Sequence, residues 1–232
     1  MRRLVAAGVG MAIAIAGQVG AASAMAPAPA PTNIVVEVVV DAPLPVAGET
    51  RNEHAYLKSN GSPVEGETLE LWVKRYGTDA FVLYDSALTG SDGGVVIPLK
   101  SWRNVRFQWR YEGAAAYQPS QSDTSIRYYS TRVRAKPRKI EVTRGHRVVF
   151  RGATRPVKSD FRLSLWRGET NRGGYGPRVH ATRLKAGFTR SDGSFRITYR
   201  FKKAGWKKLF VQVHSGQGNV TGWSRYLYVH VT

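Results

Sequence analysis

Residues 69–97 read LELWVKRYGTDAFVLYDSALTGSDGGVVI, and residues 163–197 read LSLWRGETNRGGYGPRVHATRLKAGFTRSDGSFRI. Each stretch opens on apolar residues at every second position, Leu69, Leu71 and Val73 in the first and, continuing from Phe161 just before it, Leu163 and Leu165 in the second. That is the side-chain period of a half-buried β-strand, not of a helix. Each closes on Asp-Gly followed by a new alternation, Val95 and Ile97 or Phe195 and Ile197. Glycine accepts positive φ without penalty, so Asp92-Gly93 and Asp192-Gly193 are predicted to be tight hairpin turns.

The two stretches are one unit written twice. Leu69-Glu-Leu71-Trp72 matches Leu163-Ser-Leu165-Trp166 at an offset of 94, and Thr89 to Gly93 matches Thr189 to Gly193 at 100. Phe107 to Tyr111 with Gly113 matches Phe210 to His214 with Gly216 at 103, and Trp206 falls near the position of Trp102. Matches that keep their order across a unit of about 100 residues indicate an internal repeat. The jump from 94 to 100 places six extra residues in the second copy, within Gly168 to Arg178, a loop by composition.

Outward from this repeat, Ile34 to Val40 has the β-branched density of a strand, and Leu227, Val229 and Val231 alternate at the other end. Closely spaced Gly, Pro, Asn and Asp punctuate the strands, and no helical period is sustained beyond residue 24. The fold class predicted is all-β, two tandem immunoglobulin-like β-sandwiches. Residues 34–131 form the first unit and 132–232 the second, with Ser125 to Ser130 as a last strand. Arg134 to Arg138 is read as the linker, and Ile140 as the start of the next unit.

Ahead of the repeats, Arg2 and Arg3 precede an apolar run from Leu4 to Val19, and Ala22-Ser23-Ala24 supplies small residues for cleavage. Residues 1–24 are therefore predicted to be a cleaved signal peptide, which makes the protein secreted, with no integral membrane segment after cleavage. Residues 25–33 are a Pro/Ala-rich spacer, expected to be extended and disordered. The chain has no cysteine, so each unit must fold on apolar burial without disulfides.

Gly61-Ser-Pro-Val-Glu-Gly-Glu-Thr-Leu-Glu-Leu71, Thr89-Gly-Ser-Asp-Gly93 and Tyr111-Glu-Gly-Ala-Ala-Ala-Tyr117-Gln-Pro-Ser120 resemble bacterial Ig-like domains, which recur in secreted proteins of Gram-positive bacteria. The resemblance implies an immunoglobulin-like fold over most of 34–131 and, more loosely, over 132–232. In the second unit His214-Ser-Gly216-Gln-Gly replaces the Tyr-x-Gly segment. The fold serves adhesion, spacing and enzyme accessory roles alike, so function has to be argued from a site.

Charge supplies the functional lead. Residues 25–131 hold nine Lys and Arg against twelve Asp and Glu, a net of −3, whereas 132–232 hold 24 against four, a net of +20. A genome-wide arginine preference would load both halves alike. The asymmetry points to a polyanionic partner: an anionic polysaccharide, a teichoic-type polymer or extracellular DNA at the cell wall. Arg196 and Arg200 project outward between Phe195, Ile197 and Tyr199. Lys202, Lys203, Trp206, Lys207 and Lys208 follow, while Arg178, Arg183, Lys185 and Arg190 lie on the preceding segment, expected to pair beside that strand. These residues are predicted to form one polyanion-binding face, with Asn171 and Tyr175 in the inserted loop available for finer recognition. A tryptophan placed like Trp206 is more often a lid over the end of the sandwich than a stacking platform.

Enzymatic chemistry finds no foothold. None of the five histidines stands at metal-ligand spacing, and the four acids of the second half are scattered. No catalytic residue, metal or cofactor is predicted. His214 and His230 are the one pair that neighbouring last strands could bring together. The alternative to polyanion capture is a protein-interaction module, an adhesin or accessory subunit binding another surface protein.

Overall fold

The computed structural model describes residues 27–37, 44–168 and 181–232. The first nine strands are β1 (Thr32–Glu37), β2 (Thr50–Ser59), β3 (Ser62–Pro63), β4 (Thr68–Arg75), β5 (Val82–Leu88), β6 (Gly94–Lys100), β7 (Val105–Tyr111), β8 (Ser120–Gln121) and β9 (Ser125–Arg127). One sheet joins β1, β2, β3 and β6, with β2 paired to both β1 and β6. The other runs β5-β4-β7, with β8 and β9 both paired to β7.

The second set repeats this plan. It consists of β10 (Arg132–Pro137), β11 (Glu141–Val142), β12 (Arg147–Arg155), β13 (Arg162–Arg167), β14 (Thr182–Phe188), β15 (Ser194–Arg200), β16 (Gly205–Val213), β17 (Gly222–Trp223) and β18 (Leu227–Val231). One sheet is β10-β12-β15, and the other β11-β18-β16-β13-β14 with β17 on β16. A three-strand sheet of first, second and fifth long strands over a sheet of the remaining ones is the immunoglobulin-like arrangement.

Alternation builds both interiors. Leu69, Leu71 and Val73 of β4 meet Ala55, Leu57 and Ile97 from the facing sheet, with Trp109 fully buried among them. Leu163, Leu165, Phe150, Ile197 and Val211 form a second, separate cluster. The matched segments keep their hydrogen bonds. Thr89 N donates to Glu67 O while Glu67 N donates to Thr89 Oγ1, and Thr189 and Phe161 exchange the same two bonds. Trp109 N donates to Ser122 Oγ at 2.9 Å, and Val211 N donates to Ser224 Oγ at 3.0 Å.

Gly93 and Gly193 do take positive φ, 74° and 76°. Their turns, however, are not hairpins: β5 and β14 belong to one sheet, β6 and β15 to the other, so each turn crosses the sandwich. The register Leu71↔Trp109 and Leu165↔Val211 sets the last repeat offset at 102, one less than the aromatic match implied. Asn104, not Trp102, is therefore the counterpart of Trp206. Trp102 sits in the turn after β6 with its ring against Gly48.

Arg134 to Arg138 is no linker, since β10 pairs with β12 along its whole length. Nor is the end of the Pro/Ala stretch loose: Ala30 N donates to Ala116 O, and Gln118 N donates to Ala30 O, both at 2.8 Å. The six-residue difference falls between Arg167 and Thr182, in residues 169–180, outside the described residues.

The two sandwiches dock through the 216–220 turn. Asn104 N donates to Gly218 O, Thr131 N to Val220 O, and Val220 N to Tyr129 O. Asn219, 3% exposed, donates from Nδ2 to Trp102 O at 2.9 Å and to Tyr129 O at 3.2 Å.

Candidate basic face and its aromatic neighbour

The outer face of β10-β12-β15 follows from strand parity. On β12, Val148, Phe150 and Thr154 are buried, so Arg147, Val149, Arg151, Ala153 and Arg155 face out. On β15, buried Phe195 and Ile197 turn Arg196 and Arg200 outward, and on β10 buried Val133 does the same for Arg134 and Lys136. The register stacks these cations across the sheet. Lys136 stands opposite Arg151, which stands opposite Arg196; Arg147 is opposite Arg200 and Arg132 opposite Arg155. Arg138 continues the outward parity beside Val149.

Like charges directly opposite one another on a sheet are destabilising, so this arrangement is not one the fold selects for itself. The first sandwich shows that directly. Leu57 N and Thr154 N both donate to the oxygen of their Gly93 or Gly193, which aligns the second strands at an offset of 97. The row Lys136–Arg151–Arg196 then corresponds to Glu37–His54–Val96, where His54 Nδ1 lies 3.7 Å from Glu37 Oε2. No acidic residue stands on β10, β12 or β15. The acids described in this half are Glu141 on β11, Asp160 and Asp192 in turns. Asp192 accepts a hydrogen bond from Ser194 N at 2.8 Å; hydrogen bonding from the Ser194 side chain, then from its backbone, lowers the Asp192 pKa. The ion pairs found among the described residues all lie within the first sandwich. The face spans about 27 Å along β12 and about 10 Å across the three strands, from the standard rise and spacing.

Of the residues expected in one positive face, Arg196 and Arg200 are on it. Arg183 and Lys185 are exposed but lie on β14, in the opposite sheet, because the 189–193 turn crosses the sandwich. Arg190 is exposed in that turn, and Lys202 and Lys203 are exposed in the connection from β15 to β16. Lys207 Nζ donates to Ala204 O at 2.7 Å, and Lys208 Nζ lies 4.3 Å from the centre of the Tyr226 ring. Arg178, Asn171 and Tyr175 lie outside the described residues. Missed were Arg132, Arg134, Lys136, Arg138, Arg147, Arg151 and Arg155. Their signal was present as cations at every second position from 132 to 138.

The other sheet of this sandwich turns aromatic rings outward. Trp206 is opposite His230 and stacks on it, with centroids 4.8 Å apart and planes 23° from parallel. Trp166 stacks on Phe210 at 6.3 Å and donates from Nε1 to Gln212 Oε1 at 2.8 Å. His214 and His230 do not meet. Trp206 pairs with His230 at the start of β16, and His214 follows its end, about 27 Å away by strand rise. Burial, then Arg162 and Arg183, lower the pKa of His214. Among the described residues no group of three His, Asp or Glu side chains is placed to hold a metal ion.

No protein-family model matches the chain, and no curated protein matches it. Among solved structures it is similar to the D0–D1 domain of intimin, at 13% identity over 86% of this chain and 97% of that one, with a TM-score of 0.30. It is similar to invasin, a bacterial integrin-binding protein, at 10% identity over 87% of this chain and 39% of that one, with a TM-score of 0.37. A third is a chitin binding domain from Burkholderia pseudomallei, at 11% identity over 42% of this chain and 61% of that one, with a TM-score of 0.30. The immunoglobulin-like reading stands on the strand order itself.

Proposed function

We propose that this is a secreted, non-enzymatic protein of two immunoglobulin-like units, 34–131 and 132–232, whose second unit captures extended anionic polymers on the outer face of β10-β12-β15. The single observation that carries this reading is the row Lys136–Arg151–Arg196. Three cations stand side by side where the matching row of the first sandwich is Glu37–His54–Val96. A polyanion laid on the face relieves the repulsion among these cations and releases its own condensed counterions, so binding falls steeply with salt. Anionic polysaccharide, teichoic-type polymer and extracellular DNA share the required chemistry.

The test compares the full chain with Lys136→Ser/Arg151→Ser/Arg196→Ser and, separately, Arg183→Ser/Lys185→Ser. Each is titrated with oligo-dT and with linear polyphosphate across a salt series. The triple variant should bind more weakly, with a salt slope on oligo-dT reduced by about 0.7 per lost contact. The β14 variant should change far less. Equal loss in both, or retention by the triple variant, would remove the site from this face. A partner that stays bound at high salt would instead favour the protein-interaction reading.

A further inference from the structure

Asn60-Gly61 is the one place in the chain where asparagine precedes glycine. The pair is the two-residue turn from β2 to β3, closed by Ser59 opposite Ser62. Its φ angles of 49° and 83° are the left-handed pair of a type I′ hairpin. Both residues are exposed, and so are Ser62 and Pro63, the whole of β3. A Cβ at Gly61 would meet nothing within 4 Å, so the space beside this peptide is open to solvent. Among the described residues neither the Asn60 side chain nor Gly61 N makes a hydrogen bond.

We propose that Asn60 is a site of spontaneous deamidation in the folded chain, converted by water to aspartate and isoaspartate. Gly61 N gives its proton to hydroxide and attacks Asn60 Cγ. The Cγ–Nδ2 bond breaks, and ammonia leaves with a proton taken from water. One water then opens the five-membered imide at either carbonyl. Opening at Cγ gives aspartate; opening at the main-chain carbonyl gives isoaspartate, with the backbone rerouted through Cγ. The ring closes only when the turn flexes, and an exposed loop tip held by a two-residue strand opens at little cost. The other candidates lack this freedom. At Asp92-Gly93 and Asp192-Gly193 the carboxylate accepts from the N–H two residues on, and the glycine N–H donates to Gly90 O or Arg190 O. Asn33, Asn52 and Asn104 precede Ile34, Glu53 and Val105, whose side chains crowd the attacking nitrogen. Asn104 Oδ1 also accepts from Tyr129 N, and Asn219 is buried. Either product adds a negative charge to the acidic unit, and isoaspartate adds a main-chain methylene to a turn built for two residues.

The experiment incubates the full chain in mildly alkaline buffer made with oxygen-18 water, once native and once in guanidinium chloride. Peptide mapping by mass spectrometry then locates the label and separates aspartate from isoaspartate. In the native chain the label should enter at Asn60 ahead of every other asparagine, with both products present. It should be lost from that peptide in Asn60→Gln, where a larger ring would have to close. The native rate should lie within about tenfold of the denatured one, the factor that an opening cost of about 1.4 kcal/mol imposes. A wider gap would mean that the fold locks the turn, and would overturn the site. Aspartate without isoaspartate would exclude the imide and overturn it as well. Equal labelling at Asp92, Asp192 or another asparagine of the native chain would show that the turn gives Asn60 no selectivity.

Discussion

Glu53 and Arg127 form a two-bond ion pair through the interior of the first sandwich, from β2 on one sheet to β9 on the other. Nε donates to Oε1 at 2.8 Å and Nη2 to Oε2 at 2.7 Å. Glu53 is 1% exposed and Arg127 8%. By register the second sandwich carries Phe150 and Val229 in their places, both fully buried. One fold therefore closes the same cross-sheet gap once with charge and once with hydrocarbon.

Arg127→Ala leaves a buried carboxylate without its main partner and should destabilise the first sandwich by about 3–5 kcal/mol. Glu53→Phe combined with Arg127→Val installs the pair that the second sandwich uses, and should be neutral or stabilising by about 1–4 kcal/mol. Urea denaturation of the three chains decides it. A double variant as unstable as the single one would show that the two interiors differ in more than this pair.

Arg151 stands opposite both Lys136 and Arg196. Replacing it with Thr removes two like-charge contacts and should raise stability by about 0.5 kcal/mol at low salt. The gain should fade as salt screens the neighbours. The same substitution should weaken polyanion binding. Opposite signs for stability and affinity, read from thermal melts and titrations, mark a residue kept for its ligand. Loss of both would make Arg151 a structural residue.

The sequence carried the strands but not their sheets. Alternation at Leu69–Val73 and Leu163–Leu165 is set by burial of one strand face, which periodicity reports directly. Asp92-Gly93 reports a reversal of the chain through the φ of its glycine. The same turn residues serve whether the next strand pairs or crosses to the opposite sheet, so Arg183 and Arg196 were assigned to one face when they occupy two. Strand β10 escaped because its inward residues, Val133, Ala135 and Pro137, are small, and its outward ones are all cations. Burial of small side chains leaves a weak apolar signal, and a basic run with proline reads as a linker.

Lys158 is fully buried near the junction. Its ammonium donates to Gly216 O and lies 4.5 Å from the centre of the Phe161 ring. Burial, with a smaller contribution from Arg103 of the first sandwich, lowers its pKa to about 8. Between about 8 and 10.5 the unfolded chain holds a proton that the folded chain has released, so stability rises with pH through that window. Below it the folded amine is charged at a cost. Lys158→Met should be more stable than the parent at neutral pH, because Gly216 O keeps its bond from Asn219 N. The difference between the two melting-temperature curves should close as pH rises to 10.5. A difference independent of pH would mean that the lysine is not desolvated as its surroundings imply.

Gly218 has φ of 78°, and a Cβ there would sit 2.4 Å from Cγ of Tyr76 in the first sandwich. Gly218→Ala therefore both strains the turn and pushes the rings of the junction apart. Asn219→Ala removes the amide that bonds Trp102 O and Tyr129 O across the same contact, at a cost of about 1–3 kcal/mol for buried groups left unpaired. Tyr129 O retains its bond from Val220 N, so Trp102 O is the carbonyl that the Asn219 substitution deprives. The interiors of the two sandwiches are separate clusters, and neither substitution reaches them. Both units should stay folded while their mutual orientation loosens, which NMR relaxation reads as two tumbling times in place of one shared value. A polymer lying on β10-β12-β15 alone would bind such variants as it binds the parent. A loss of affinity would mean that the first sandwich, held in its docked position, takes part in holding the polymer.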